Sequence, residues 1–241
     1  MVLLGVKALK DALSEGLLPR NPTAGVRSPR PEKKEITPLS QEQARKLLDT
    51  ARASGDRLHA LYVLALHCGL REGEMLGLKW DDVDFGRGVL HVSRTLSETC
   101  TGHKFEKPKN GKGRAVKLSQ GSPEALKSHH ARQNEERRAA GSAWQDDGLV
   151  FPTTTGTTMR CTNLMNRHFL PLLERAGLPR VRLHDLRHTC ATILLRVGQH
   201  PKYVQEFLGH ANISITLDVY SHVLPGMGDG LADAMDGALG G

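Results

Sequence analysis

Leu183-His184-Asp185-Leu186-Arg187-His188-Thr189 is the most informative stretch of this sequence for chemistry. His184 and Arg187 stand three apart at an expected helix start, so they share one face. A guanidinium offers a planar fork of donors for two phosphate oxygens. An imidazole beside it can take or give a proton near neutral pH. A metal reading competes: His184 and His188 are four apart, as in a His-Glu-x-x-His zinc helix, with Asp185 where the glutamate would stand. Aspartate is a methylene shorter, and no clear third ligand follows. A solvated polar helix start is the plainest alternative.

Three further clusters bear on the same chemistry. In Gly69-Leu70-Arg71-Glu72-Gly73-Glu74, Arg71 opens a helix. A cation there opposes the helix dipole unless an anion binds as well. Arg71 can instead pair with Glu74, and both can hold if Glu74 fixes the guanidinium that grips a phosphate. Lys107-Pro108-Lys109-Asn110-Gly111-Lys112-Gly113-Arg114 lies between two expected strands, and residues 104–117 carry six basic side chains against Glu106. A glycine turn that projects lysines can enter a DNA groove or touch its backbone; a solvated basic hairpin has the same composition. Leu208-Gly209-His210 is followed ten residues later by Tyr220. By itself Tyr220, among Ile213, Leu217 and Val223, reads as a core residue of an apolar helix.

The elements that must position these groups follow from periodicity. Residues 1–18 read as one amphipathic helix, with Leu4, Ala8, Leu9, Ala12 and Leu13 at helical spacing. A lone helix of that length is marginal in water, so residues 1–20 are expected to be the last helix of an N-terminal domain. Residues 21–38 form a Pro-rich basic linker. Ser40 and Gln43 make a capping box for a helix over 41–53. A buried helix is expected at 57–67, ended by Gly69, and a short one at 72–78. Between 81 and 118 the period changes to two: Val83 and Phe85, Val89 to Val92, and Val116 with Leu118 predict three strands. Helices follow at about 123–139, 161–176, 184–197, 201–208 and 213–223, with Leu149 to Phe151 as a candidate extra strand. Residues 225–241 form an acidic tail with Asp229, Asp233 and Asp236. The expected fold class is α+β, mainly helical, with a small antiparallel three-stranded sheet.

Composition narrows the partner. Thirty-three Lys and Arg against twenty-six Asp and Glu give a net charge of +7, which points to a polyanion, with DNA the first candidate. Cys68, Cys100, Cys161 and Cys190 are widely spaced, so neither a zinc ribbon nor a disulfide framework is indicated. A reducing, intracellular setting fits them. No segment approaches the roughly 20 apolar residues of a membrane span, and a cytoplasmic protein is expected.

The order of the clusters is more specific than any one of them. Gly69-Leu70-Arg71-x-Gly-Glu74, Leu183-His184-x-Leu-Arg187-His188-Thr189 and Leu208-Gly209-His210-x-x-Ile213-x-x-Thr216-x-x-x-Tyr220 resemble the signature boxes of the tyrosine recombinase (phage integrase) family. The resemblance runs from about Leu39 to Leu224, and implies that family's catalytic-domain fold over 39–224. Carried over residue by residue, it implies that Arg71, Lys109, His184, Arg187 and His210 surround the scissile phosphate and that Tyr220 is the nucleophile. Glu74 would support Arg71, while Lys107, Lys112 and Arg114 would contact DNA. Lys109 sits where the family has Pro-Lys-Thr, with Asn110 replacing the threonine, and Lys107 and Lys112 are close alternatives to it. The resemblance further implies a site-specific recombinase that cleaves and rejoins strands through a 3′-phosphotyrosine. No metal, ATP or other cofactor is expected. The partner would be double-stranded DNA, bound by a homotetramer whose protomers are monomers in free solution. Residues 1–20 would be the remnant of a core-binding domain, and the acidic tail would dock on a neighbouring protomer. A type IB topoisomerase and a non-enzymatic DNA-binding protein are the competing readings.

Overall fold

The helix over Gln41–Ala53 begins where the sequence asks it to. The Ser40 hydroxyl accepts from the Gln43 N–H at 3.1 Å, and the Gln43 side chain accepts from the Ser40 N–H at 2.8 Å. This reciprocal pair satisfies two otherwise orphaned donors. The computed structural model describes residues 2–23, 38–99, 102–107, 113–214, 216–217 and 231–239. The chain divides into two units, Met1–Glu35 and Ile36–Gly241. The first contains helix α1 (Val2–Ser14). The second carries every site residue singled out above.

In the second unit α2 (Gln41–Ala53) packs against α3 (His59–His67). Every residue of α3 from Ala60 to Leu66 is buried. A helix apolar on all faces must sit at the centre of a fold, and α3 does so, touching α2, α5 (Ser122–Ala140), α8 (Asp185–Arg196) and the short α4 (Glu72–Leu76). Three antiparallel strands, β1 (Val83–Asp84), β2 (Val89–Val92) and β5 (Arg114–Lys117), form a sheet in the order β1-β2-β5. Its register sets Leu90 opposite both Val83 and Val116, and all three side chains enter the core.

The fold class is as expected, mainly helical with a small antiparallel sheet, and three elements differ in detail. A separate hairpin, β3 (Thr95–Thr99) and β4 (Gly102–Glu106), was not legible in the sequence. Only Leu96 of its side chains is fully buried, so it lacks the apolar alternation that marks a half-buried strand. The helix expected over 161–176 is α6 (Cys161–Asn163), a π-helical turn (Leu164–Phe169) and α7 (Leu170–Arg175). Pro171 has no N–H to continue the ladder, and the helix widens just ahead of it. Leu149–Phe151 is not a strand, although Leu149 forms an isolated bridge with Lys79. The segment expected to be helical over 213–223 is described at 213–214 and 216–217, where it is helical. Helix α9 (Pro201–Leu208) closes the site, and a further helix spans Leu231–Leu239.

Gly69 decides how α3 hands the chain to Arg71. Its φ is +58°, and a Cβ there would lie 2.2 Å from Leu208 Cδ2 and 3.4 Å from Cys190 Sγ. Leu208 is fully buried and cannot swing away. Gly69→Ala should therefore lose about 2–4 kcal/mol of stability, from left-handed backbone strain and core overpacking together. The denaturant midpoint measures it. A loss below about 0.5 kcal/mol, the size of an ordinary surface change, would mean that the Leu208 contact yields freely.

Candidate active site

Three separate segments meet at the C-terminal end of α9. Its last carbonyls, on Phe207, Leu208 and the capping Gly209, each accept a hydrogen bond from a different arginine. Arg114 Nε donates to Phe207 O at 3.2 Å, Arg187 Nη2 to Leu208 O at 2.7 Å and Arg71 Nη2 to Gly209 O at 2.7 Å. The carbonyls at a helix C-terminus have no partner within the helix and carry the negative end of its dipole. They are suited to holding cations that would otherwise repel one another. Gly209 turns the chain at φ +68°, and a Cβ there would press on Arg114 Cδ at 3.0 Å.

Arg71 caps α4, directly after the Gly69 turn. Its Nη1 donates to Glu74 Oε1 at 2.8 Å and its backbone N–H to Glu74 Oε2 at 2.9 Å. The Arg71 side chain remains 37% exposed, while that of Glu74 is only 2% exposed. Burial pushes the Glu74 carboxyl up. The hydrogen bonds and charge of Arg114, with those of Arg71, outweigh this and hold it at about 2. Glu74 is thus an ionised, buried anion between two arginines.

Arg187 extends from α8 into the same place, and its Nη1 also donates to Gly69 O at 2.5 Å. It is 2% exposed. Burial lowers it first, and repulsion from Arg71 second, to about 9, so it remains a cation at neutral pH. His210 follows Gly209, and its Nδ1 shares a hydrogen bond of 2.8 Å with the Thr216 hydroxyl. Burial, then the charges of Arg187 and Arg71, drive it down to about 3. His184, beside Asp185 at the start of α8, is held at about 4 by burial, His188 and Arg187. Both imidazoles are neutral at pH 7. His184 can accept a proton. An anion arriving among these arginines would reverse the repulsion and favour His210 as a charged donor.

The competing metal reading loses its carboxylate. Asp185 Oδ1 accepts from Arg182 Nη2 at 2.8 Å, and Oδ2 accepts from the Arg182 N–H at 2.8 Å. The His184 and His188 rings meet edge to face, with centroids 5.0 Å apart.

Arg71, Glu74, Arg187 and His210 are therefore brought together, with His184 close enough to Arg187 to feel its charge. Lys107 is exposed at the end of β4. Lys109, Lys112 and Tyr220 lie outside the described residues. Arg114, which the sequence reading grouped with the DNA-contacting residues of the basic turn, is turned inward. Its Nη1 and Nη2 donate to Glu74 Oε1 and Oε2 at 2.8 and 2.9 Å, and its side chain is 15% exposed. Strand period could have found this: Arg114 and Val116 are two apart in β5, on the face where Val116 is buried. No sequence signal marks the role of the α9 carbonyls, because main-chain acceptors leave no trace in side-chain type.

Known proteins resemble this chain in sequence and in fold. Residues 38–226 match the family model described as "Phage integrase family". A tyrosine recombinase XerC-like protein of Caldanaerobacter subterraneus subsp. tengcongensis is 39% identical over 234 residues, covering 89% of this chain and 59% of that protein. This chain thus spans less than two thirds of that relative's length. Among solved structures, the Tn1549 transposon integrase in complex with transposon right end DNA superposes with a TM-score of 0.75 at 23% identity, over 97% of this chain and 76% of that one. XerA recombinase superposes with a TM-score of 0.62 at 25% identity, over 98% and 74%.

Proposed function

Because this chain belongs to the phage integrase family, we propose that it is a site-specific DNA recombinase that cuts and rejoins strands through Tyr220. The observation that carries this reading is the meeting of Arg71, Arg187 and His210 at the end of α9. Phosphodiester cleavage needs preorganised positive charge around the phosphorus, and this cluster supplies it from side chains alone. The reading calls for no metal and no ATP. Residues 39–224 are the catalytic domain in this reading.

The Tyr220 oxygen attacks the phosphorus, and the bond to the 5′ oxygen breaks. A 3′-phosphotyrosine and a free 5′ hydroxyl result. His184, neutral before reaction, takes the tyrosine proton, and Lys109 protonates the leaving 5′ oxygen. The two arginines and His210 hold the developing charge on the non-bridging oxygens. Glu74 keeps Arg71 aimed. The covalent link stores the energy of the broken bond, so a 5′ hydroxyl from either strand can reverse the step. Double-stranded DNA is the partner, and the DNA-bound Tn1549 integrase supports it. Four protomers acting on two duplexes, each protomer a monomer in free solution, complete the reading. Lys107 and Lys112 contact the DNA backbone.

A nicked suicide duplex tests this, because loss of the short cleaved strand traps the covalent adduct. Lys109→Ala should slow adduct formation by about a hundredfold or more, as expected for loss of a general acid. A duplex with sulfur in place of the leaving 5′ oxygen should restore it, since a thiolate leaves without a proton. Rescue seen with Lys107→Ala or Lys112→Ala, and not with Lys109→Ala, would move the acid to that residue.

A further inference from the structure

We propose that Arg114 is a positioning residue of the active site, and that it acts through Glu74 and the end of α9 instead of touching DNA. The inference rests on the strand-cleavage reading above and concerns how the site is held. Arg114 is the first residue of β5, so it sits where the basic turn re-enters the sheet. Its three side-chain nitrogens are all engaged. Nη1 and Nη2 grip both oxygens of Glu74, and Nε reaches Phe207 O. Glu74 in turn grips Arg71 through the same two oxygens. One guanidinium thereby ties together the strand after the basic turn, the helix that presents Arg71 and the turn that presents His210.

The chemistry of the contacts favours this role over DNA binding. All three nitrogens of Arg114 donate to protein, against a buried carboxylate and a main-chain carbonyl, whereas Nε of Arg71 and of Arg187 has no partner among the described residues, so Arg114 is the most inwardly committed of the three. Its planar fork matches a carboxylate in a way that a lysine ammonium cannot. The contact with Gly209 means that the guanidinium also fills the space beside the turn before His210. Removing Arg114 would leave Glu74 with Arg71 as its sole described partner. Arg71 would be drawn toward the carboxylate and away from the phosphate. Misplacement of a catalytic group by about 1 Å can cost on the order of a hundredfold in rate.

Arg114→Lys and Arg114→Gln separate the two roles. The measurements are single-turnover adduct formation at saturating DNA, on nicked duplexes tiled across the DNA flanking the gene, and binding of an unrelated duplex at several salt concentrations. Both variants are expected to form adduct about ten to a hundred times more slowly than the unaltered chain. The slope of log affinity against log salt should stay unchanged. Lysine, despite its charge, should not rescue. Because Arg114 acts through Glu74, the double variant with Glu74→Gln should be no slower than the slower single variant. If Arg114→Gln is too unstable to purify folded, Arg114→Lys decides by itself. Two results would overturn the proposal. One is an unimpaired rate at saturating DNA in Arg114→Lys. The other is a salt slope flattened by about 0.9, the signature of one lost phosphate contact. An unaltered chain that forms no adduct on any tile sinks the strand-cleavage reading, and the positioning role with it; a normal adduct with unimpaired Arg114 variants sinks the positioning role alone.

Discussion

Tyr220→Phe is expected to form no covalent adduct with nicked duplex DNA while binding that DNA almost unchanged. The substitution removes one oxygen and keeps the ring, so binding energy from the rest of the surface is retained. The chain has three tyrosines, and the structure separates the other two from this role. Tyr62 is fully buried within α3, and burial pushes its hydroxyl far above the usual range. Such a group neither reaches a DNA strand nor ionises readily. Tyr203 is 68% exposed, in the first turn of α9. The arginines gather at the other end of that helix, and Leu208 lies five helical steps beyond Tyr203, roughly 7.5 Å along the axis. Tyr203→Phe should accordingly form adduct at the normal rate. Protein-linked DNA resolved on a denaturing gel reports both variants. An adduct that persists in Tyr220→Phe and vanishes in Tyr203→Phe would move the nucleophile to α9.

Arg187→Ala should slow cleavage by roughly a hundredfold to a thousandfold, the usual effect of losing one preorganised charged donor in a transition state. Two consequences of its position sharpen the expectation. Its Nη1 and Nη2 hold Gly69 O and Leu208 O, so alanine also unties α3's end from α9's end. It is also a buried cation repelled by Arg71, and its removal relieves that repulsion. The lost hydrogen bonds and the relieved repulsion oppose each other in stability, whereas both the lost charge and the loosened carbonyls slow the reaction. The rate should therefore fall by far more than the folded fraction does. Single-turnover adduct formation, set beside thermal unfolding of the same sample, measures the two. A variant that cleaves at the normal rate would remove Arg187 from the phosphate. A rate loss matched by an equal loss of folded protein would make it a purely structural residue.

The sequence by itself determined the parts of this protein that depend on side-chain type and short-range spacing. The Ser40 capping box, the all-apolar α3, the Gly69 turn and the period-two strands at Val83, Val89–Val92 and Val116 each follow from local rules, and each is present. The order of Arg71, a hairpin lysine, His184, Arg187, His210 and Tyr220 along the chain was enough to name the family. Tertiary structure decided whatever depends on groups far apart in sequence. Arg114 looked like one more cation on a basic turn, and folding sets it against Glu74, forty residues earlier. The hairpin of β3 and β4 is stabilised by main-chain pairing that its polar side chains do not announce. Above all, three arginines from three segments share the carbonyls of Phe207, Leu208 and Gly209. Every residue has a carbonyl, so no sequence pattern distinguishes those three. Their role arises because a helix ends there, with acceptors unpaired and its dipole pointing at the cations.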